Sequence, residues 1–129
     1  ALRPRPNPHL DGGRPRPEIR AASERGRRLF LDPTRGCVAC HDGPAMTASG
    51  RLGRRSVFDV GTGKDVDTPP LLGLWDTAPY LHDGRAATLL DVLTAHNRED
   101  RHGRTSDLDA GQLEDLVTFM LAPCEEEKP

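Results

Sequence analysis

The stretch Cys37-Val38-Ala39-Cys40-His41 decides how the rest of this chain is read. Two thiols three residues apart, followed at once by an imidazole, have the C-x-x-C-H spacing at which a c-type haem is attached. The thiols add across the porphyrin vinyl groups as thioethers, and His41 reaches the iron as proximal ligand. The competing readings lack what they need. A thioredoxin-type redox pair requires a surrounding βαβ pattern, and a structural zinc site requires four well-spaced Cys or His ligands, where only Cys124 remains. The expectation is one covalent haem c with its iron, held by Cys37, Cys40 and His41.

Attachment of this kind takes place outside the cytoplasm, so the chain is expected to be exported, to a periplasm or beyond. It opens at Ala1 with no apolar h-region and no long apolar run, which is expected of a chain whose signal peptide has been removed or of a fragment, and which excludes a membrane span. Cys124 is the odd cysteine once the haem has taken two, either a link to another chain or a free thiol on a mobile tail.

The 129 residues suit one domain, and with 35% hydrophobic and 4% aromatic residues the protein core is thin. A buried porphyrin would fill that deficit. The net charge of −2 conceals an asymmetry: residues 1–35 hold nine Arg against four acids, and residues 86–129 hold ten acids against four bases. Such a field can orient a redox partner, although charge runs are more often solvated faces. Nucleic-acid binding is disfavoured by the net acidity.

Residues 1–17 alternate Arg and Pro around Asp11-Gly12-Gly13, a composition that disfavours helix and buries no apolar face, so they are read as an extended arm or linker. His9 lies in this arm and reaches a haem only if the arm folds back. Residues 18–122 form the haem domain, and 123–129 an acidic tail. An amphipathic helix is expected from Glu18 to Leu31, stopped by Asp32-Pro33. Residues 42–66 read as a long loop of the kind that wraps a cofactor. Thr68-Pro69 predicts a short helix to about Trp75. Thr88 with Asp91 predicts a helix over Leu89 to about Asn97. Asp109 predicts a last helix, with Leu113, Leu116, Val117, Met120 and Leu121 on one stripe, ended by Pro123. The fold class is all-α, a haem domain with long loops.

Several further pieces occur in a fixed order: Gly26-Arg27-Arg28-Leu29-Phe30, the haem motif, His41-Asp42-Gly43-Pro44, Asp59-Val60-Gly61-Thr62-Gly63, Asp67-Thr68-Pro69-Pro70-Leu71, Ala78-Pro79-Tyr80-Leu81-His82-Asp83-Gly84 and Thr88-Leu89. In this order they resemble the C-terminal haem domain of bacterial di-haem cytochrome c peroxidases and the related MauG family, over about residues 20–121. The resemblance implies a cytochrome-c-like helical fold whose haem, in the two-haem relatives, receives or stores electrons for a second, peroxide-reacting haem. Only one haem motif is present here, and the relatives' N-terminal haem domain has no counterpart in the chain. Peroxidase activity is therefore not carried over.

The distal ligand decides what the haem can do, since two protein ligands favour electron exchange and an open position binds peroxide or a diatomic gas. The candidates are His82, His96, His102, Met46 and Met120. On the residues alone, His96 and the methionines remain open. The resemblance aligns His96, counted from Thr88-Leu89, with the relatives' Met or Tyr distal ligand and so implies bis-histidine ligation by His41 and His96. Met46 follows the motif too closely to reach the opposite haem face, and Met120 falls on the core stripe of the last helix. His82 is read as hydrogen-bonding a haem propionate or fixing its turn through Asp83. Among Arg51, Arg54, Arg55 and Arg85, the last is preferred as a propionate partner. Trp75 and Tyr80 are read as packing near the haem edge.

Three functions share this chemistry. The first is a c-type cytochrome domain relaying single electrons to a redox protein partner. The second is the electron-donating subunit or fragment of a peroxidase or MauG-like oxidase with a second haem domain. The third is a haem-bearing unit that self-assembles into a multi-copy array.

Overall fold

A computed structural model describes residues 5–50 and 56–123. The first element among the described residues is a hairpin of two short strands, β1 (Leu10–Asp11) and β2 (Arg14–Pro15), in which Leu10 faces Pro15 across the turn at Gly12-Gly13. The arm lies on its own domain. Asn7 Nδ2 donates to the Leu121 carbonyl at 2.8 Å, and the Arg5 guanidinium pairs with Asp76 and sits 5.5 Å above the Trp75 ring.

A 3-10 turn, Pro17–Ile19, leads into α1 (Arg20–Leu31). The partner of α1 is α4 (Ala110–Leu121) at the other end of the chain. Asp109 caps α4, accepting from the Gln112 amide at 2.8 Å while the Gln112 side chain accepts from the Asp109 N–H, so two orphan donors of the first turn are satisfied reciprocally. The two helices approach closely at Gly26, where a Cβ would fall 1.9 Å from the Asp115 carbonyl oxygen. Only glycine fits there. Phe30 of α1 stacks tilted on Phe119 of α4 at 5.3 Å between ring centroids, and both belong to the core with Leu71, Leu89, Leu93, Leu108, Leu116 and Met120.

The remaining elements are short. The haem-motif turn α2 spans Cys37–Cys40, and β3 (Val57–Phe58) pairs antiparallel with β4 (Val66–Asp67). Thr68 opens no helix, contrary to the sequence reading. Its N–H and hydroxyl both donate to the Ser56 carbonyl at 2.8 Å, which ties it to the β3–β4 hairpin, and residues preceding proline avoid the helical region. The helix-like turn comes later, as a 3-10 turn over Leu74–Asp76. Thr88 and Asp91 form the expected capping box of α3, but α3 runs only from Leu89 to Leu93. Thr94 leaves helical geometry, with its hydroxyl bonded back to the Leu90 carbonyl at 2.7 Å. No helix among the described residues is long and apolar enough to cross a membrane.

Candidate functional site

The site begins where α1 ends. Asp32 accepts hydrogen bonds from the Thr34 N–H and hydroxyl, and Gly36, at φ 87°, turns the chain into α2. In a single helical turn, positions three and four apart are neighbours. Cys37, Cys40 and His41 therefore share one side. Both thiols are free and half-buried, and burial pushes the Cys37 thiol above its ordinary pKa.

His41 Nδ1 lies 3.0 Å from the Met46 carbonyl. A carbonyl only accepts, so this contact is a hydrogen bond when Nδ1 carries the proton, the tautomer whose Nε2 lone pair can bind a metal. Met46 holds φ 55°, which turns its carbonyl back onto the ring. Met46 thus serves His41 through its backbone, a role its side chain did not announce. Phe30 packs beside His41, 6.5 Å between centroids.

Across from His41 stands His102. Their ring centroids are 6.4 Å apart, with the planes 31° from parallel. Two imidazoles flanking one metal ion place their centroids about 6.3 Å apart, given metal–nitrogen bonds of about 2 Å and about 1.1 Å from each nitrogen to its ring centre. The Nδ1 of His102 is buried with no hydrogen-bond partner. Burial lowers both imidazole pKa values, that of His41 against partial opposition from the Met46 and Pro69 backbone, and that of His102 to about 4 with a smaller push from His41. Both rings are neutral near pH 7, the form that binds iron. The residues present fit a haem c: two thiols, an imidazole bonded to the Met46 carbonyl and, facing it, a second imidazole whose buried Nδ1 is unpaired.

His96 is placed elsewhere. Because α3 stops at Leu93, His96 is not carried on a helix end toward His41. It lines a surface cleft of about 220 Å³ with Thr62, Arg85, Arg98 and Arg101. The ring brought opposite His41 is His102, six residues further on. No helical periodicity marks His102, and its one sequence signal is the company of turn formers, Asn97, Asp100, Gly103 and Thr105, that hydrogen-bond a loop into shape.

The other candidates scatter. His82 is exposed, and Asp83 beside it is held by Arg85, whose Nε and Nη2 lie 2.9 and 2.6 Å from Asp83 Oδ2. That guanidinium draws the Asp83 carboxyl down to about 2. Met120 is a buried core residue. The Tyr80 hydroxyl donates to the Leu74 carbonyl at 2.7 Å and its ring packs on the core. His9 sits at the β1–β2 hairpin. Arg51, Arg54, Arg55 and Cys124 lie outside the described residues.

Residues 67–102, which end on His102, match the family described as RoxA-like, cytochrome c-like. This is a cytochrome c-like domain. It is mostly helical, with a few short strands. The chain is 30% identical to the gamma subunit of hydrazine synthase from Kuenenia stuttgartiensis, in an alignment covering 78% of this chain and 40% of that subunit. A solved structure of Kuenenia stuttgartiensis hydrazine synthase under xenon pressure contains a chain that superposes with a TM-score of 0.76 at 27% identity, covering 90% of this chain and 49% of that one. The domain thus spans less than half the length of the relatives it matches.

Proposed function

We propose that this chain is a c-type haem module of a larger redox enzyme, relaying single electrons to or from a second haem-bearing domain or subunit. The observation that carries the reading is the facing pair His41 and His102, at the separation two imidazoles take around one metal. In this reading Cys37 and Cys40 anchor the haem, His41 is the proximal ligand, and His102 replaces His96 as the distal one. The bound haem supplies iron that changes charge by one electron without bond-making at the metal. Met46 fixes the tautomer of His41, and Phe30 with the α1–α4 core shields it from water. Ligation by two imidazoles lacks the thioether sulfur that raises potential in His/Met cytochromes, so a comparatively low potential is expected.

A place within a larger enzyme is supported by the relative's being named a subunit, and by the motif order that resembles one haem domain of the two-haem peroxidases and MauG proteins. Covalent attachment at Cys37 and Cys40 would be made outside the cytoplasm, which supports a periplasmic or extracellular location for the module. The test is the ferric spectrum of the haem-loaded chain and of two variants. The parent is expected to be low-spin, with little peroxide turnover. His102→Ala is expected to become largely high-spin and to bind cyanide or carbon monoxide readily, and His96→Ala to keep the parent spectrum. A low-spin spectrum in His102→Ala would overturn the ligand assignment, and steady peroxide turnover by the isolated chain would overturn the relay.

A further inference from the structure

We infer that Asn97 is the positioning residue of the distal ligand, holding His102 across from His41 and thereby keeping the sixth coordination position closed. The inference rests on the reading of His102 as that ligand. The buried Nδ1 of His102 has no partner, so no hydrogen bond at that nitrogen orients the ring. Its backbone is gripped instead. The Asn97 Oδ1 accepts from the His102 N–H at 2.8 Å, and its Nδ2 donates to the Gly103 carbonyl at 2.9 Å, to Thr105 Oγ1 at 2.9 Å and, at 3.4 Å, to the His102 carbonyl. The carboxamide therefore holds both sides of residue 102. Asn97 is 4% exposed, so its bonds are made out of water, where losing them is costly. Thr105, also 4% exposed, passes the restraint on by donating to the Leu93 carbonyl at 2.7 Å, which is the end of α3.

The grip needs an amide. A carboxylate offers no donor for the Gly103 carbonyl, and an alanine offers neither donor nor acceptor. The loop then meets the haem motif directly: the Arg104 N–H donates to the Arg35 carbonyl at 2.9 Å, and Arg35 Nη1 returns a bond to the Arg104 carbonyl at 2.8 Å. With Arg35 two residues before Cys37, the distal ligand is registered against the covalent attachment point. Asn97 sets the ring inside that register.

The experiment compares haem-loaded parent, Asn97→Ala, Asn97→Asp and His102→Ala chains by ferric spectrum, by the rate of carbon monoxide binding to the ferrous form, and by titration with free imidazole. Asn97→Ala is expected to keep its covalent haem, gain a high-spin fraction and bind carbon monoxide at least tenfold faster, with imidazole restoring the low-spin spectrum. Asn97→Asp, which keeps the acceptor to His102, is expected to fall between parent and alanine, and it carries the test if the alanine variant does not fold. A role in stability alone would lower the melting temperature and leave spin state and carbon monoxide rate at parent values. That result, with His102→Ala open, would overturn the inference about Asn97 while leaving the ligand in place. A closed His102→Ala would remove the ligand assignment and the inference with it.

Discussion

The α1–α4 pair and the loop from Thr94 to Asp107 border one core, yet they are held by different forces. The helices are joined by shape and burial: Gly26 lets the backbones touch, Phe30 meets Phe119, and Leu116 is 1% exposed. The loop buries little apolar surface of its own and is built from hydrogen bonds. Asn97 grips residues 102–105, Asp100 accepts from the Thr105 and Ser106 N–H groups, and Arg35 clasps Asp107 through Nη1 and Nη2 at 2.9 and 3.1 Å. Burial is non-directional and suits a frame, whereas hydrogen bonds are directional and suit the aiming of one imidazole.

The sharpest challenge to this division strikes where frame and site coincide. Cys37 and Val38 pack on the core cluster, so the proposed haem linkage and the frame share residues. Replacing Cys37 and Cys40 together by Ala is expected to release all haem into acidified organic solvent and to abolish cooperative thermal unfolding. Retained covalent haem would contradict the attachment. On the frame side, Leu116→Ala removes a fully buried side chain and is expected to cost about 2–5 kcal/mol in denaturant unfolding. The ferric spectrum should stay low-spin, and a change of spin state would show that frame and ligand loop are not separable.

On the loop side, Gly103 holds φ 85°, and a Cβ there would lie 3.4 Å from the Arg35 carbonyl oxygen and 3.5 Å from Cys37 Sγ. Gly103→Ala is expected to cost about 1–2 kcal/mol for the left-handed backbone. It should also introduce a high-spin fraction, the reverse of the Leu116→Ala pattern. The smallest effect concerns acid. The Arg35 guanidinium, chiefly by hydrogen bonding, holds the Asp107 carboxyl below 3.8, so the folded state binds fewer protons there than the unfolded one. The pair's contribution is present above that value and is lost as the pH falls through the lower folded pKa. Asp107→Asn is expected to flatten this acid limb of a stability–pH curve, and an unchanged limb would assign the acid sensitivity elsewhere.

The two histidines six residues apart show where reading a sequence stops. The capping box at Thr88 and Asp91 was legible because its spacing is local, and so was that α4 begins after Asp109. The family resemblance then aligned His96 with the relatives' distal ligand, while the same local logic carried α3 to about Asn97. That logic had no means of seeing that Thr94 leaves the helix, or that a buried Asn97 folds the following loop over the haem motif. Thr68 misled in the same way, since its cap-like context was overruled by Ser56, twelve residues away in the β3–β4 hairpin.

By itself the sequence determined the character of the fold and that two thiols and an imidazole lie together. Cys37, Cys40 and His41 fall on one turn, and the apolar stripe of α4 follows from its 3.6-residue period, both consequences of spacing along the chain. Tertiary structure alone decided which imidazole faces His41, that the arm returns to Leu121 and Trp75, and that the Met46 carbonyl meets His41 Nδ1. Each of these depends on distances between segments remote in sequence or on a backbone turned to positive φ, and neither is encoded in any local periodicity.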